Sequence, residues 1–398
     1  MARIICISKY PPLEGGIAAK TYWLCRALAE RGHTVHVVTD RESIDADYCS
    51  PVFQDQISKE NLHIHRPDEK IPWHIPNESH RSLALLNTAA EVIDRYGADV
   101  IDTGYLIPYG LVGYLVSQIT GIPFLLRHGG SDLNKFVDKG IWANLITKAF
   151  KNTSAVITDK EHFGSFCGLS KRAVSIPPYV PDPAFFKSVA GKKTKPTLAL
   201  IGKANYHWRH KGWHRAIEIM KSLDDRFHYL IVSQGVGFNA FKKYVEEQID
   251  LPIEWKGFVH PLEMPQLLQT VNGIFVLQHD LPFPVFSNLV MEALYCNVAI
   301  ITDRHDMVQS LEEYDIHIDA ESRHILVIPN DEPDTAAETI TNYFERSVPG
   351  KIDISHRTFD YTTYIQRNEE AILLGNELGS VESWCNEESA LRKSAGTG

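Results

Sequence analysis

The chain has 398 residues, 44% of them hydrophobic and 23% charged, which is the balance of a folded protein too long for one ordinary core. Its formal net charge is −10, and residues 1–185 carry 19 basic against 20 acidic side chains, so neither half has the basic excess of a nucleic-acid binder. No apolar run approaches the length of a membrane span, the N-terminus starts a strand with no signal-peptide core, and Cys6, Cys25, Cys49, Cys167, Cys296 and Cys385 form no C-x-x-C pair; together these point to a cytoplasmic protein in a reducing compartment.

Residues 3–8 are an apolar run fit for a strand buried on both faces. A glycine-containing loop at 11–17 follows, then helical periodicity through Leu24 and Leu28 over 18–31, then a second strand at 34–39. This order begins a doubly wound α/β sheet. Further strands are predicted at 99–102, 123–127 and 155–158, with helices at 110–120 and 139–150. Between them, His63, His65, His74 and His80 lie in a polar stretch without metal-ligand spacing. The segment 71–76 (Ile-Pro-Trp-His-Ile-Pro) reads as an aromatic loop that would pack, or touch an acceptor or a membrane surface.

Proline at 177, 178, 181 and 183, then the lysine cluster at 192–195, marks an interdomain linker, so the first domain is set at 1–185 and the second at 196–350. In the second, strands are predicted at 198–201, 229–233, 253–257, 274–278, 298–302 and 325–328, with helices at 212–223, 238–249, 261–271 and 333–346. A last helix within 355–378, carrying Tyr361 and Tyr364, has no strand partner and is expected to return to the first domain; residues 380–398 are expected to fray. The carboxyl ends of the two sheets would then face a shared cleft, the usual ligand position in such folds.

Four segments carry the chemistry. The loop Pro11-Pro12-Leu13-Glu14-Gly15-Gly16-Ile17 lets backbone approach a phosphate or sugar through Gly15 and Gly16, although an ordinary βα turn explains the glycines equally well. Arg127-His128-Gly129-Gly130-Ser131-Asp132 ends a strand in a loosened loop; His128 could bond a sugar hydroxyl or stabilise developing charge, whereas Asp132 reads as a helix cap. The stretch 201–213 places Lys203, Arg209 and Lys211 after the first strand of the second domain, where cations would offset a diphosphate; Lys211, next to Gly212, is favoured, with Lys203 and Arg209 as alternatives for a second cation. Finally, 286–294 opens a helix at Ser287-Asn288-Leu289 and sets Glu292 between Met291 and Ala293. An unpaired carboxylate in so apolar a helix would be costly, so Glu292 is expected to meet a ligand or an internal partner. No cluster in the sequence suggests a tightly bound metal, and no Gly-x-Ser-x-Gly nucleophile elbow is present.

Taken together, the Gly15-Gly16 loop, the 128–132 loop, the Lys211-Gly212 turn and the 286–294 segment resemble the glycosyltransferases of GT-B architecture, in the large retaining group called family 4. The resemblance spans nearly the whole chain. It implies two Rossmann-like domains facing a central cleft, a nucleotide-sugar donor held by the second domain, and an acceptor (a lipid-linked glycan, another glycan or a small molecule) mainly in the first. It further implies that Glu292 holds the ribose, that backbone at 287–289 and Lys211 hold the diphosphate, and that His128 lies beside the transferred sugar. Such enzymes generally work without a metal, so no cofactor is expected, and membrane contact would be at most peripheral. Two departures stand out. Pro284 occupies the place of the first of two family glutamates, leaving His279 or Asp280 as candidates to face the sugar, and Lys203 replaces the usual arginine. The expected activity is sugar transfer from a nucleoside-diphosphate donor to an acceptor hydroxyl. The alternatives are a nucleotide-sugar epimerase or phosphorylase of the same fold, or a non-catalytic sugar-nucleotide-binding protein.

Overall fold

The structure is a computed structural model that describes residues 1–51, 60–67, 77–129, 132–133, 143–159, 170, 172–176, 179–187, 195–277, 287–312, 324–330, 332–346 and 360–374. Two parallel sheets dominate it. The first contains β1 (Arg3–Ile7), β2 (Thr34–Val38), β3 (Leu62–His65), β4 (Val100–Gly104), β5 (Phe124–Arg127), β6 (Ala155–Thr158) and β7 (Ala173–Ser175), in the order β3-β2-β1-β4-β5-β6-β7. The second contains β8 (Thr197–Lys203), β9 (His228–Gln234), β10 (Ile253–Lys256), β11 (Gly273–Val276), β12 (Ala299–Thr302) and β13 (Ile325–Val327), in the order β10-β9-β8-β11-β12-β13. Both are doubly wound, as the sequence predicts. The central strands are buried on both faces (Ile4, Ile5 and Ile7 are at most 1% exposed), which is why they read as continuous apolar runs.

In each sheet the strand order reverses beside the first strand, between β1 and β4 and between β8 and β11. A crevice opens at such a switch point, at the carboxyl ends of the strands. The loop after β1 leads into α1 (Gly16–Glu30), and the loop after β8 leads into α5 (Trp213–Leu223). These two loops meet across the cleft, because Lys203 Nζ donates to the Glu14 carbonyl.

The remaining helices of the first domain are α2 (Asn77–Tyr96), α3 (Leu111–Thr120) and α4 (Ala143–Asn152). Those of the second are α6 (Phe238–Gln248), α7 (Met264–Gln269), α8 (Asn288–Tyr295), α9 (Met307–Glu312) and α10 (Pro333–Arg346), before the final α11 (Tyr361–Leu374). Helix α11 packs on the first domain. Glu369 pairs with Arg31 (2.5 Å) and His33 (2.7 Å), and Asn368 Oδ1 accepts from Arg127 Nη1 (2.8 Å). On α1, Trp23 meets Phe185 and Phe186 of the linker at centroid distances of 5.1 and 5.5 Å, and the Tyr22 ring meets His260 of the second domain edge-on at 5.0 Å. Trp23 is 2% exposed and Phe186 1%, so each contributes about 2–3 kcal/mol by leaving water.

The polar stretch that holds His63, His65 and His80 contains regular structure. His63 and His65 lie on strand β3, and His80 lies on helix α2. The helix buries Leu85, Ala89, Val92 and Ile93, a 3.6-residue stripe that starts only after a polar first turn. On β3 the face that would carry aliphatic residues carries imidazoles instead. The His63 ring stacks on His36 of β2 (4.8 Å), and His36 stacks on Tyr96 (4.6 Å). Strand β7 was likewise unforeseen. The helix predicted at 261–271 is limited to Met264–Gln269, with Pro265 in its first turn, where a proline is tolerated.

Candidate functional site

The first wall of the cleft is the β1–α1 turn. Gly15 has φ of +143°, a region an L side chain rarely adopts, and a Cβ there would sit 3.0 Å from Lys203 Nζ. Glycine therefore lets the two domains close on each other. No side chain caps α1, so its first N–H groups open onto the cleft.

The second wall begins at α8. Ser287 caps this helix by accepting from the Val290 N–H (3.3 Å), which leaves the N–H groups of Asn288 and Leu289 without intrahelical acceptors. The Asn288 side chain donates to the Gly16 carbonyl (2.7 Å), bringing the amino ends of α1 and α8 together. Two positive helix ends pointed at one space favour an anion between them.

Two lysines stand over that space. Lys203 Nζ, besides its bond to the Glu14 carbonyl, lies 4.9 Å from the Tyr48 ring centre. Lys211 Nζ donates to the Lys203 carbonyl (2.9 Å) and has no carboxylate partner among the described residues. Burial alone pushes its ammonium down to about 8. Lys211 is placed by a short helical turn (Trp208–Lys211) that ends at Gly212, where φ is +68°. A Cβ on Gly212 would collide with the Leu277 carbonyl, so only glycine allows the turn to lie on the end of the neighbouring strand.

Glu292 sits one turn inside α8, 5% exposed. Burial is the main cause that pushes its carboxyl up to about 8, and the Glu14 charge pushes the same way. The Tyr179 hydroxyl, which faces it without an in-range hydrogen bond, favours the ionised form.

His128, at the end of β5, has Nε2 2.7 Å from Thr158 Oγ1. Asp132 in the same loop is fully buried. Its Oδ2 accepts from the Leu106 N–H (2.9 Å), and its Oδ1 accepts from the N–H groups of Gly129 (2.9 Å) and Leu133 (3.1 Å). It ties the loop to the turn after β4 as well as capping locally.

The structure thus brings Gly15, Gly16, Lys203, Lys211, Ser287, Asn288, Leu289 and Glu292 to one cleft, with His128 on the first-domain wall two strands from β1. It does not bring Arg209 there. The Arg209 guanidinium lies on the rings of Trp208 (4.5 Å) and Tyr244 (4.7 Å), because the turn aims alternate side chains to opposite sides and α6 offers an aromatic surface. The candidates His279 and Asp280 lie outside the described residues, as do Pro284, Phe286, Gly130, Ser131 and the loop 71–76. Among the described residues no three His, Cys, Asp or Glu side chains are grouped so as to hold a metal ion, and no helix is long and apolar enough to cross a membrane.

Two cleft residues escaped the sequence reading. The Glu14 carboxyl is raised by burial, with Lys203 and Lys9 pulling the other way. Lys20, one turn beyond Gly16, is exposed. Desolvation first and the Arg127 charge second lower its ammonium, against Asp159. The only signal for Glu14 was a carboxylate directly before a double glycine at a helix start.

Residues 15–164 match the family model of the Glycosyl transferase 4-like domain. A curated relative, N-acetyl-alpha-D-glucosaminyl L-malate synthase of Bacillus anthracis, is 27% identical over 160 residues, 40% of this chain; the match spans 39% of that relative's length. Among solved structures, sucrose-phosphate synthase from Thermosynechococcus elongatus superposes with a TM-score of 0.64 at 17% identity, over 99% of each chain. Anabaena HepE, in complex with UDP and glucose, superposes with a TM-score of 0.62 at 14% identity, over 94% of this chain and all of that one. The fold is the GT-B arrangement.

Proposed function

We propose that this chain, whose residues 15–164 form a glycosyl transferase 4-like domain within a GT-B framework, is a glycosyltransferase that moves a sugar from a nucleoside-diphosphate donor to an acceptor hydroxyl. The observation that carries the reading is the pairing, in one cleft, of a partly buried ammonium lacking a carboxylate partner among the described residues (Lys211) with the open amino end of α8 and a buried carboxylate whose one polar neighbour is the Tyr179 hydroxyl (Glu292). A diphosphate meets the first two, and the two hydroxyls of a ribose meet the third. UDP with glucose in the HepE neighbour supports a uridine donor. The hydroxy acid in the Bacillus relative's name supports a hydroxyl acceptor as small as that.

In this reading Glu292 anchors the ribose, while Lys211, Lys203 and the N–H groups of Asn288 and Leu289 hold the diphosphate. The Gly15-Gly16 backbone approaches the same phosphates from the first domain, and His128 stands beside the transferred sugar. The bond from the anomeric carbon to phosphate oxygen breaks as the acceptor oxygen attacks from the same face, which retains configuration. The departing phosphate oxygen takes the acceptor proton, and Lys211 offsets the charge that develops there. No metal is required for this charge balance.

The test is a panel of UDP-, GDP-, ADP- and CMP-sugars, with titration calorimetry for binding and NMR for turnover, run with and without hydroxyl acceptors and with and without EDTA. Binding and transfer of one donor, unchanged by EDTA, with an anomeric signal matching the donor's, is the expected result. Epimerised donor in the absence of acceptor would replace the transferase reading. Binding without turnover would leave a sugar-nucleotide-binding protein, and no binding at all would end the reading.

A further inference from the structure

Arg127 ends β5 directly before His128, and in the ladder it stands opposite Gly104 of β4 and Ile157 of β6. Two positions back along β4, on the same face as Gly104, is Asp102, so the guanidinium reaches it diagonally. Arg127 Nε donates to Asp102 Oδ1 (2.7 Å) and Oδ2 (3.0 Å), and Nη1 donates to Asn368 Oδ1 of α11 (2.8 Å). The Asn368 amide is fixed in orientation, because its Nδ2 donates to the Tyr364 carbonyl one turn back (2.9 Å). Asp102 and Asn368 are both buried, so water does not compete for these bonds.

Asn368 follows Arg127 by 241 positions, after the whole second domain and outside the 15–164 glycosyl transferase 4-like domain. Its neighbour Glu369 pairs with Arg31 and His33, so α11 is itself anchored to the first domain and gives the end of β5 a fixed support. Stability alone does not account for the arrangement. Arg127 Nη2 is buried with no partner among the described residues, a cost left standing. What the bonds do fix is direction. His128 is the first residue past the ladder, and from there its Nε2 lies 2.7 Å from Thr158 Oγ1. A shift of the strand end carries that imidazole with it.

Resting on the glycosyltransferase reading of His128, we propose that Arg127 is a positioning residue through which Asn368 of α11 sets His128 beside the transferred sugar. The catalytic wall of the first domain is then incomplete without a helix supplied from the far end of the chain. Nucleotide binding, which belongs to the second wall, does not depend on this support, whereas the transfer step does.

The test compares full-length wild type with Asn368→Leu, which removes the acceptor at similar volume, Asn368→Asp, which keeps it, Arg127→Lys, and the Arg127→Lys/Asn368→Leu double variant. Thermal unfolding checks each fold, calorimetry with UDP counts binding sites, and kcat is expressed per site. The His128 imidazole signal is followed by NMR, assigned by comparison with His128→Gln. Asn368→Leu should keep UDP affinity within about twofold, lower kcat about 10- to 100-fold, the range for a misplaced reacting group, and move the His128 signal. Asn368→Asp should recover most of that kcat and the wild-type signal. Arg127→Lys should match Asn368→Leu, and the double variant should lose no more than either, because both break one support. A merely structural pair predicts a lower melting temperature with kcat per site and the His128 signal unchanged, and that result would overturn the proposal. So would losses that multiply in the double variant, or Asn368→Asp failing as badly as Asn368→Leu. If the wild type transfers no sugar, the glycosyltransferase reading falls, and the NMR comparison still decides whether α11 sets His128 through Arg127.

Discussion

Asp132, in the loop after β5, and Glu292, in α8, are both buried carboxylates raised above their ordinary range by loss of water, yet they are left in different states. Asp132 accepts three backbone N–H groups, and these pull its pKa back down. Glu292 is pushed to about 8, and its one polar neighbour among the described residues is the Tyr179 hydroxyl, which stands beyond ordinary hydrogen-bond range. Burial is common to both; unmet bonding capacity belongs to one. Desolvation by itself therefore does not mark a ligand site. A buried acceptor whose partners are missing does, because the protein alone gives no return for the cost of burying it.

The comparison breaks most visibly if the two carboxylates respond alike to substitution. Asp132→Ala strips three N–H groups, two of them buried, of their acceptor, and we expect a loss of about 3–5 kcal/mol in urea unfolding, with the His128 loop released. Glu292→Gln keeps shape and loses a charge that the empty protein tolerates poorly. Its stability at neutral pH should equal or exceed that of wild type, while UDP affinity in calorimetry falls about 10-fold or more. Equal destabilisation by both would mean that Glu292 is structural.

Lys211 makes the same point with opposite charge. Its folded pKa is depressed from 10.5 to about 8, so the folded state sheds the proton first, and the cost of the buried charge is fully present below pH 8 and relieved between 8 and 10.5. Lys211→Met should therefore stabilise the empty protein by about 1–2 kcal/mol at pH 7 after allowance for screening, while weakening nucleotide binding about 10- to 100-fold. A substitution that raises the melting temperature and abolishes binding would be hard to explain for a structural lysine.

The two groups also set a pH profile. Glu292 is raised from 4.5 to about 8, so the stability it withholds from the folded state grows as pH climbs through that window, and the slope should vanish in Glu292→Gln. Ribose binding favours the ionised carboxylate and diphosphate binding favours the protonated ammonium. Nucleotide affinity should hence rise toward pH 8 and fall beyond it, as measured by calorimetry across pH 6–10. Glu292→Gln should remove the rising limb and Lys211→Met the falling one.

Much of this was legible in the sequence. Central strands announce themselves as apolar runs because both faces are covered, and helix 333–346 was read to the residue. Glu292 was legible because one carboxylate stood in an apolar helix. Strand β3 and helix α2 were not, since stacked imidazoles and a polar first turn replace the pattern that periodicity detects. The contrast between Asp132 and Glu292 was foreseen only in part. One partner of Asp132, the Leu106 N–H, lies 26 positions away, and no local pattern reports it.

The smallest effect concerns the cations. Arg209 and Lys211 lie two positions apart in one turn, and composition alone would credit both with holding an anion. The turn directs them to different surfaces, Arg209 onto Trp208 and Tyr244 and Lys211 to the Lys203 carbonyl at the end of β8, 5.4 Å from the Trp213 ring centre. Arg209→Ala should cost about 0.5–1 kcal/mol of stability through lost stacking and shift nucleotide affinity by less than about twofold. The discriminating quantity is the ratio between the two variants. If Arg209→Ala weakens UDP binding as strongly as Lys211→Met, the loop acts through its summed positive field, and salt should weaken both alike. If only Lys211 matters, a single directed ammonium with no carboxylate of its own carries the contact, by the same unmet capacity that separates Glu292 from Asp132.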